Sequence, residues 1–179
     1  MSSFNIAIAK LLSAEGGFVP IDVHNGAANF GITEWFARNI LKVGDAKNFV
    51  KSLTKDDAEN IYYAKFWRAY RVGEINNNRV ATMVLFAVVN MNPSTAIKTF
   101  QASVNDLGVA YPPLAEDGVL GPKTIARVNT LGAVDLEELL NCFAVRLRAF
   151  YHHLAAKDPE TYQPHLAGWL RRVDESMQA

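Results

Sequence analysis

Glu15 stands where an apolar helix pattern gives way to two glycines, in Glu15-Gly16-Gly17-Phe18. Residues 6–12 (Ile-Ala-Ile-Ala-Lys-Leu-Leu) read as an amphipathic helix that Ser2 or Ser3 could cap. Gly16 and Gly17 are its stop signal, because glycine accepts the left-handed conformation in which helices end. Glu15 is thus expected at the negative end of a helix dipole. That position, with partial burial, favours the neutral acid and raises a carboxyl pKa. A carboxylic acid that donates a proton near neutral pH needs such surroundings. The plain alternative is a solvated glutamate at a frayed helix end.

A proton-donating acid of this kind works with a second group that acts on water or on developing charge. Asp22 is the nearest downstream carboxylate and the leading candidate; Asn29 and Thr33 are neutral alternatives that could hold water by hydrogen bonds. Aspartate also caps loop turns, which is the structural reading of Asp22. His24, His152, His153 and His165 have no metal-ligand spacing with one another or with Cys142, so no metal site is expected. No phosphate-binding glycine loop is present. A second constellation lies at Asp117-Gly118-Val119-Leu120-Gly121-Pro122-Lys123-Thr124. Physically it is a tight turn set by two glycines, with Pro122 starting a helix. Thr124 and Asn129 are helix-face polar groups or peptide contacts. Trp35, Trp67 and Trp169 offer faces on which a ligand could stack, but at helical spacing each is expected in the core.

The elements that must position these residues are mostly helices. Thr33 caps a helix over 34–41, Asp45 opens a short one through Val50, and Thr54 with Asp57 caps one over 55–70. Val80 to Asn90 is apolar nearly all round and predicts a central, buried helix. Asn92-Pro93 opens a helix through Val104, and Gly121-Pro122 a short one to about Asn129. Asp135-x-x-Glu138 resembles a capping box at the start of a long helix whose apolar residues run from Leu136 to Leu154. Asp158-Pro159 opens the last. One small β-hairpin is expected between Phe18 and Ile32. The nearest boundary is Asn90–Pro93, without a flexible linker, so the two halves should pack together.

The chain has 179 residues, half of them hydrophobic, with 18 basic and 18 acidic groups. It is long enough to bury a sizeable core. Zero formal net charge gives no reason to expect non-specific nucleic-acid or membrane-surface binding. The lone cysteine, Cys142, lies in an apolar helical stretch and reads as a buried structural thiol. The run from Val80 to Met91 is too short to span a bilayer, so no integral membrane segment is expected. Met1-Ser-Ser-Phe-Asn has no signal-peptide pattern, so the product is expected to be cytoplasmic when made.

Glu15-Gly-Gly-Phe, the loop with Asp22 and Gly26, and Asn29-Phe30-Gly31-Ile32-Thr33 together resemble the start of glycoside hydrolase family 108. The likeness continues through Ile61-Tyr62, Phe66-Trp67, Val88-Val89-Asn90, Ala96 and Gln101. Residues 117–124 then resemble the DGxxGPxT signature of the peptidoglycan-binding domain that usually follows, and Gly168-Trp169-Leu170-Arg171-Arg172-Val173 its usual ending. The resemblance implies a mainly α protein. A lysozyme-like helical domain over 1–90 would pack on a helical peptidoglycan-binding domain over 91–179, with at most a small hairpin. Members are phage- and prophage-associated lysozymes, typically N-acetylmuramidases. It therefore implies cleavage of the β-1,4 bond between N-acetylmuramic acid and N-acetylglucosamine, with Glu15 as general acid. Asp117, Gly118, Gly121, Pro122 and Thr124 would shape a substrate groove. The partner is bacterial peptidoglycan; no metal or organic cofactor is needed. A holin, lysis or an export route would deliver the protein to the wall. The oligomeric state is left open.

The loop after Glu15 departs from the family pattern. Asn25 replaces a glycine, Ala28 stands where a threonine is typical, and the loop is one residue shorter. Near Phe86 an apolar residue takes the place of an aspartate that often precedes the Val-Asn pair. These changes keep two further readings open: a weakened or inactive peptidoglycan-binding protein, and a structural or secretion-assisting partner.

Overall fold

The computed structural model describes residues 3–15, 18–22, 26–108 and 112–178, with the backbone alone at 14, 15, 21 and 22. Helix α5 (Asn78–Asn90) organises the chain: every residue from Val80 to Val88 is buried. A helix apolar on all faces must be enclosed by other elements. Helices α1 (Ser3–Glu15), α6 (Pro93–Asp106), α8 (Ala133–Lys157) and α9 (Pro159–Met177) all contact it. From α1 come Ala7, Ile8, Leu11 and Leu12, which alternate at one- and three-residue steps on a single face. From the second half come Phe100 and Phe143, edge-to-face at 5.2 Å between ring centres. One contiguous core therefore includes residues of both halves.

Most helix starts follow local chemistry. Thr33, Asp45, Thr54, Asn92 and Asp158 each accept a hydrogen bond from a backbone N–H in the first turn of the helix they precede. Those helices are α2 (Glu34–Asn39), α3 (Ala46–Ser52), α4 (Lys55–Tyr62), α6 and α9. Pro93 and Pro159 occupy the first turn, where a missing N–H costs no helical bond. Helix α8 begins earlier than expected, at Ala133. Asp135 is its third residue, not its cap, and accepts from the Gly132 N–H at 3.3 Å. The pattern expected over 55–70 is α4 continued by a π-helical turn, Tyr63–Arg68. Trp67 is buried there against Gly73, where a Cβ would lie 2.4 Å from the indole nitrogen.

The expected hairpin is a three-stranded antiparallel sheet in the order β1 (Val19–Asp22), β2 (Gly26–Asn29), β3 (Ile32–Thr33). Ala28 pairs with Val19 on one side and Thr33 on the other, and Asp22 pairs with Gly26. Phe30 and Gly31 join β2 to β3 with φ of 51° and 78°. Positive φ at both central residues gives the twist a tight hairpin needs, but phenylalanine is strained there. Tyr62 at the end of α4 donates its hydroxyl to the Phe30 carbonyl at 3.0 Å and holds that turn.

Asn29 docks the sheet. It is buried, and its Nδ2 donates to the carbonyls of Val50 and Leu53, both at 3.2 Å, at the end of α3. Asn29→Ala should leave two acceptors without that donor and cost about 1–3 kcal/mol. Thermal unfolding followed by circular dichroism should show Tm lowered by about 2–4 °C per kcal/mol lost. An unchanged Tm would mean that the sheet is held elsewhere.

Candidate functional site

The residues expected to serve hydrolysis lie on two parts of the fold, the end of α1 and the small sheet. Glu15 closes α1 and Asp22 closes β1, opposite Gly26. The side chains of both lie outside the described residues, as do Gly16, Gly17, His24 and Asn25. Thr33 ends β3 and caps α2, its Oγ1 accepting from Phe36 N at 3.1 Å. The Asn29 amide nitrogen is committed to the end of α3.

Glu34, which sequence reading passed over, closes the same loop. Its Oε1 accepts from Ala27 N at 3.0 Å. Gly26 has φ +76°, and a Cβ there would lie 2.8 Å from the Glu34 carboxyl carbon and Oε2. Glycine at 26 thus serves both the backbone conformation and the approach of this carboxylate. The only local signal was an acidic residue directly after the Thr33 cap. Its partner seven residues upstream is visible only once the sheet forms.

The second constellation is organised by Gln101 of α6, buried to 1 % exposure. Its Nε2 donates to Asp117 Oδ1 at 2.8 Å, to the Val119 carbonyl at 3.0 Å and to Thr124 Oγ1 at 3.3 Å. Its Oε1 accepts from Gly118 N at 3.0 Å. One amide thereby fixes the whole turn and the start of α7 (Pro122–Asn129). Asp117 is exposed, and the Gln101 amide, with the Val119 N–H second, holds its carboxyl below the usual 3.8. Thr124 is buried beside Gln101, and Asn129 binds Asn76 N and the Glu74 carbonyl. Both are structural contacts.

The two glycines of the turn differ. Gly118 has φ +78°, and a Cβ there would meet Ser94 Oγ at 2.3 Å and the Ser94 carbonyl at 2.8 Å. Gly121 has φ −85°, and its nearest neighbour to a Cβ is 3.9 Å away. The expectation of a turn set by two glycines holds for Gly118 and is corrected for Gly121, whose backbone is ordinary for any residue. Two further expectations are corrected. Trp35 is 53 % exposed on α2, whereas Trp67 is buried and Trp169 is half-buried, stacked on Tyr151 at 5.0 Å. Cys142 is half-buried, not enclosed, although burial still pushes its thiol up.

Residues 8–92 match the Glycosyl hydrolase 108 family model, and residues 95–174 match that of a Predicted Peptidoglycan domain. The structure is similar to one titled "Structure of Brucella abortus SagA". The TM-score is 0.76 at 27 % identity, over 98 % of this chain and 91 % of that one. No curated protein sequence matches the chain.

Gly118→Ala should strain the turn by about 1–3 kcal/mol or more and lower Tm, whereas Gly121→Ala, at the cap of α7, should cost no more than about 1 kcal/mol. Equal effects in thermal melts would contradict the difference between the two sites. Asp117 gives a pH test. A carboxyl whose folded pKa is depressed adds stability that is present above about 3.8 and lost as pH falls through the lower folded value. Asp117→Asn should therefore be less stable than the parent above about pH 4, the gap closing on further acidification. Denaturant melts at stepped pH measure it; a gap independent of pH would exclude the carboxylate. Family resemblance thus divides the chain in two, Glycosyl hydrolase 108 over residues 8–92 and a predicted peptidoglycan domain over residues 95–174.

Proposed function

We propose that the protein is a lysozyme that cleaves the β-1,4 bond between N-acetylmuramic acid and N-acetylglucosamine in peptidoglycan. The observation that carries this reading is the Glycosyl hydrolase 108 match over 8–92, a stretch that contains Glu15 at the end of α1 and the sheet anchored through Asn29, Tyr62 and Glu34. Glu15 would protonate the glycosidic oxygen as the sugar gains oxocarbenium character. Asp22, on a strand end held opposite Gly26, would activate water or stabilise charge, and the Thr33 hydroxyl is the neutral alternative. Asn29 serves the scaffold, since its amide nitrogen already has two acceptors. A carboxyl separation of about 5 Å would predict a retaining outcome and about 6.5–9.5 Å an inverting one. The lysozyme part would span residues 1–90 and the wall-holding part 91–179. A holin, lysis or an export route would bring the protein to its substrate.

The shortened loop, with Asn25 and Ala28, favours one second reading, a binding protein that has lost turnover. Digestion of purified peptidoglycan with mass spectrometry of the product ends separates the two. The wild-type chain should release muropeptides with reducing N-acetylmuramic acid ends. Glu15→Gln keeps the shape but has no proton to give, and should lower the rate by about two to four orders of magnitude with unchanged Tm. Asp22→Asn should lower turnover if its carboxylate acts. Full activity of Glu15→Gln would remove Glu15 from the mechanism, and wall binding without products from the wild type would favour the second reading.

A further inference from the structure

An open groove of about 910 Å³ runs between the Pro112–Asp117 segment and α7, beside the turn fixed by Gln101. Pro112, Pro113, Leu114 and Val119 give it an apolar side, with Val119 60 % exposed although it is a large aliphatic residue. Lys123 and Arg127 give it a cationic side. They are four residues apart on α7 and therefore share one helix face. Neither forms an ion pair with a carboxylate among the described residues. Asp117 is the groove's carboxylate, but its Oδ1 is committed to Gln101 and the Val119 N–H. The groove thus presents two cations and one carboxylate, a net positive charge, beside a small apolar shelf. No aromatic face for sugar stacking is among its described lining residues.

We propose that this groove receives the peptide stem of peptidoglycan, with Arg127 and Lys123 holding a stem carboxylate. Pro112, Pro113 and Val119 would take the methyl side chains of its alanines. The proposal rests on the peptidoglycan reading above and adds which part of the polymer the second half recognises. Charge decides between peptide and glycan: the stem carries free carboxylates and small aliphatic side chains, and the groove offers partners for both. A guanidinium can grip a carboxylate with two parallel hydrogen bonds, which lysine cannot do.

The test titrates the wild-type full chain with a disaccharide-tetrapeptide, with the free tetrapeptide and with the same disaccharide lacking peptide, its lactyl carboxyl capped as the primary amide. All three already lack the bond cleaved in the proposed reaction. Amide and guanidinium NMR signals of Val119, Lys123 and Arg127 should shift with both peptide-bearing ligands and not with the bare disaccharide. Arg127→Ala should weaken tetrapeptide affinity about tenfold, Arg127→Lys should restore part of it, and the exposed Lys123→Ala should weaken it with Tm unchanged. Equal binding of the bare disaccharide, absence of peptide binding, or wild-type affinity in the folded Arg127→Ala and Lys123→Ala proteins would overturn the proposal. Digestion of intact sacculi by the same preparation keeps this failure distinct. A chain that cleaves sacculi but ignores the tetrapeptide loses only the groove assignment, whereas one that neither cleaves nor binds sacculi loses the peptidoglycan reading itself.

Discussion

Enclosure of α5 is the constraint on which the rest of the molecule depends. Its residues from Val80 to Val88 are apolar or small and buried, and burying a valine, leucine or methionine side chain contributes roughly 1.5–3 kcal/mol. No single neighbour can cover every face of a helix. The first half supplies α1 and the π-helical turn; the second supplies α6, α8 and α9. The boundary between the two family matches falls at the start of α6, but the core runs across it. Truncation at that boundary would expose α5 on the side that α6, α8 and α9 cover.

From α5 the positioning passes outward to the small sheet. The π-helical turn rests on α5, α4 runs directly into that turn, and Tyr62 at the end of α4 grips the strained Phe30 carbonyl. Asn29 ties the adjacent strand to α3, and Glu34 closes the far end of the same strand at Ala27. Three side chains from three directions thus fix a sheet of few residues, too small to be stable alone.

What could be read from the sequence was what is decided locally. Caps at Thr33, Asp45, Thr54, Asn92 and Asp158 act within three residues, and the all-round apolar pattern of α5 needs no knowledge of its neighbours. Asp135 misled because a carboxylate at the third helical position and one at the cap leave similar patterns in sequence. Trp35 misled because helical spacing gives a residue's face but not what covers that face. Gln101, Asn29 and Glu34 were invisible as scaffold residues, since their partners lie between 7 and 24 positions away and meet them only in the folded chain. Gly118 and Gly121 look alike in the motif; only the approach of Ser94 makes one of them obligatory.

The two candidate regions are built with the same device. Each has a glycine at positive φ, Gly26 or Gly118, and each is closed by a side-chain oxygen that accepts from a nearby backbone N–H, of Ala27 or of Gly118 itself. The closing residues differ for a reason of inventory. Beside Ala27 the described contact to be met is a donor, and the carboxylate of Glu34 accepts it. Around Gly118 there is one donor but three acceptors: the Asp117 carboxylate, the Val119 carbonyl and the Thr124 hydroxyl. Only an amide offers both an acceptor and two N–H groups. A glutamate at 101 would put its carboxylate where the Gln101 Nε2 now lies, 2.8 Å from Asp117, replacing an attraction by like-charge repulsion at a buried site. Glutamine at 101 is therefore the residue that allows Asp117 to stay ionised at the mouth of the groove.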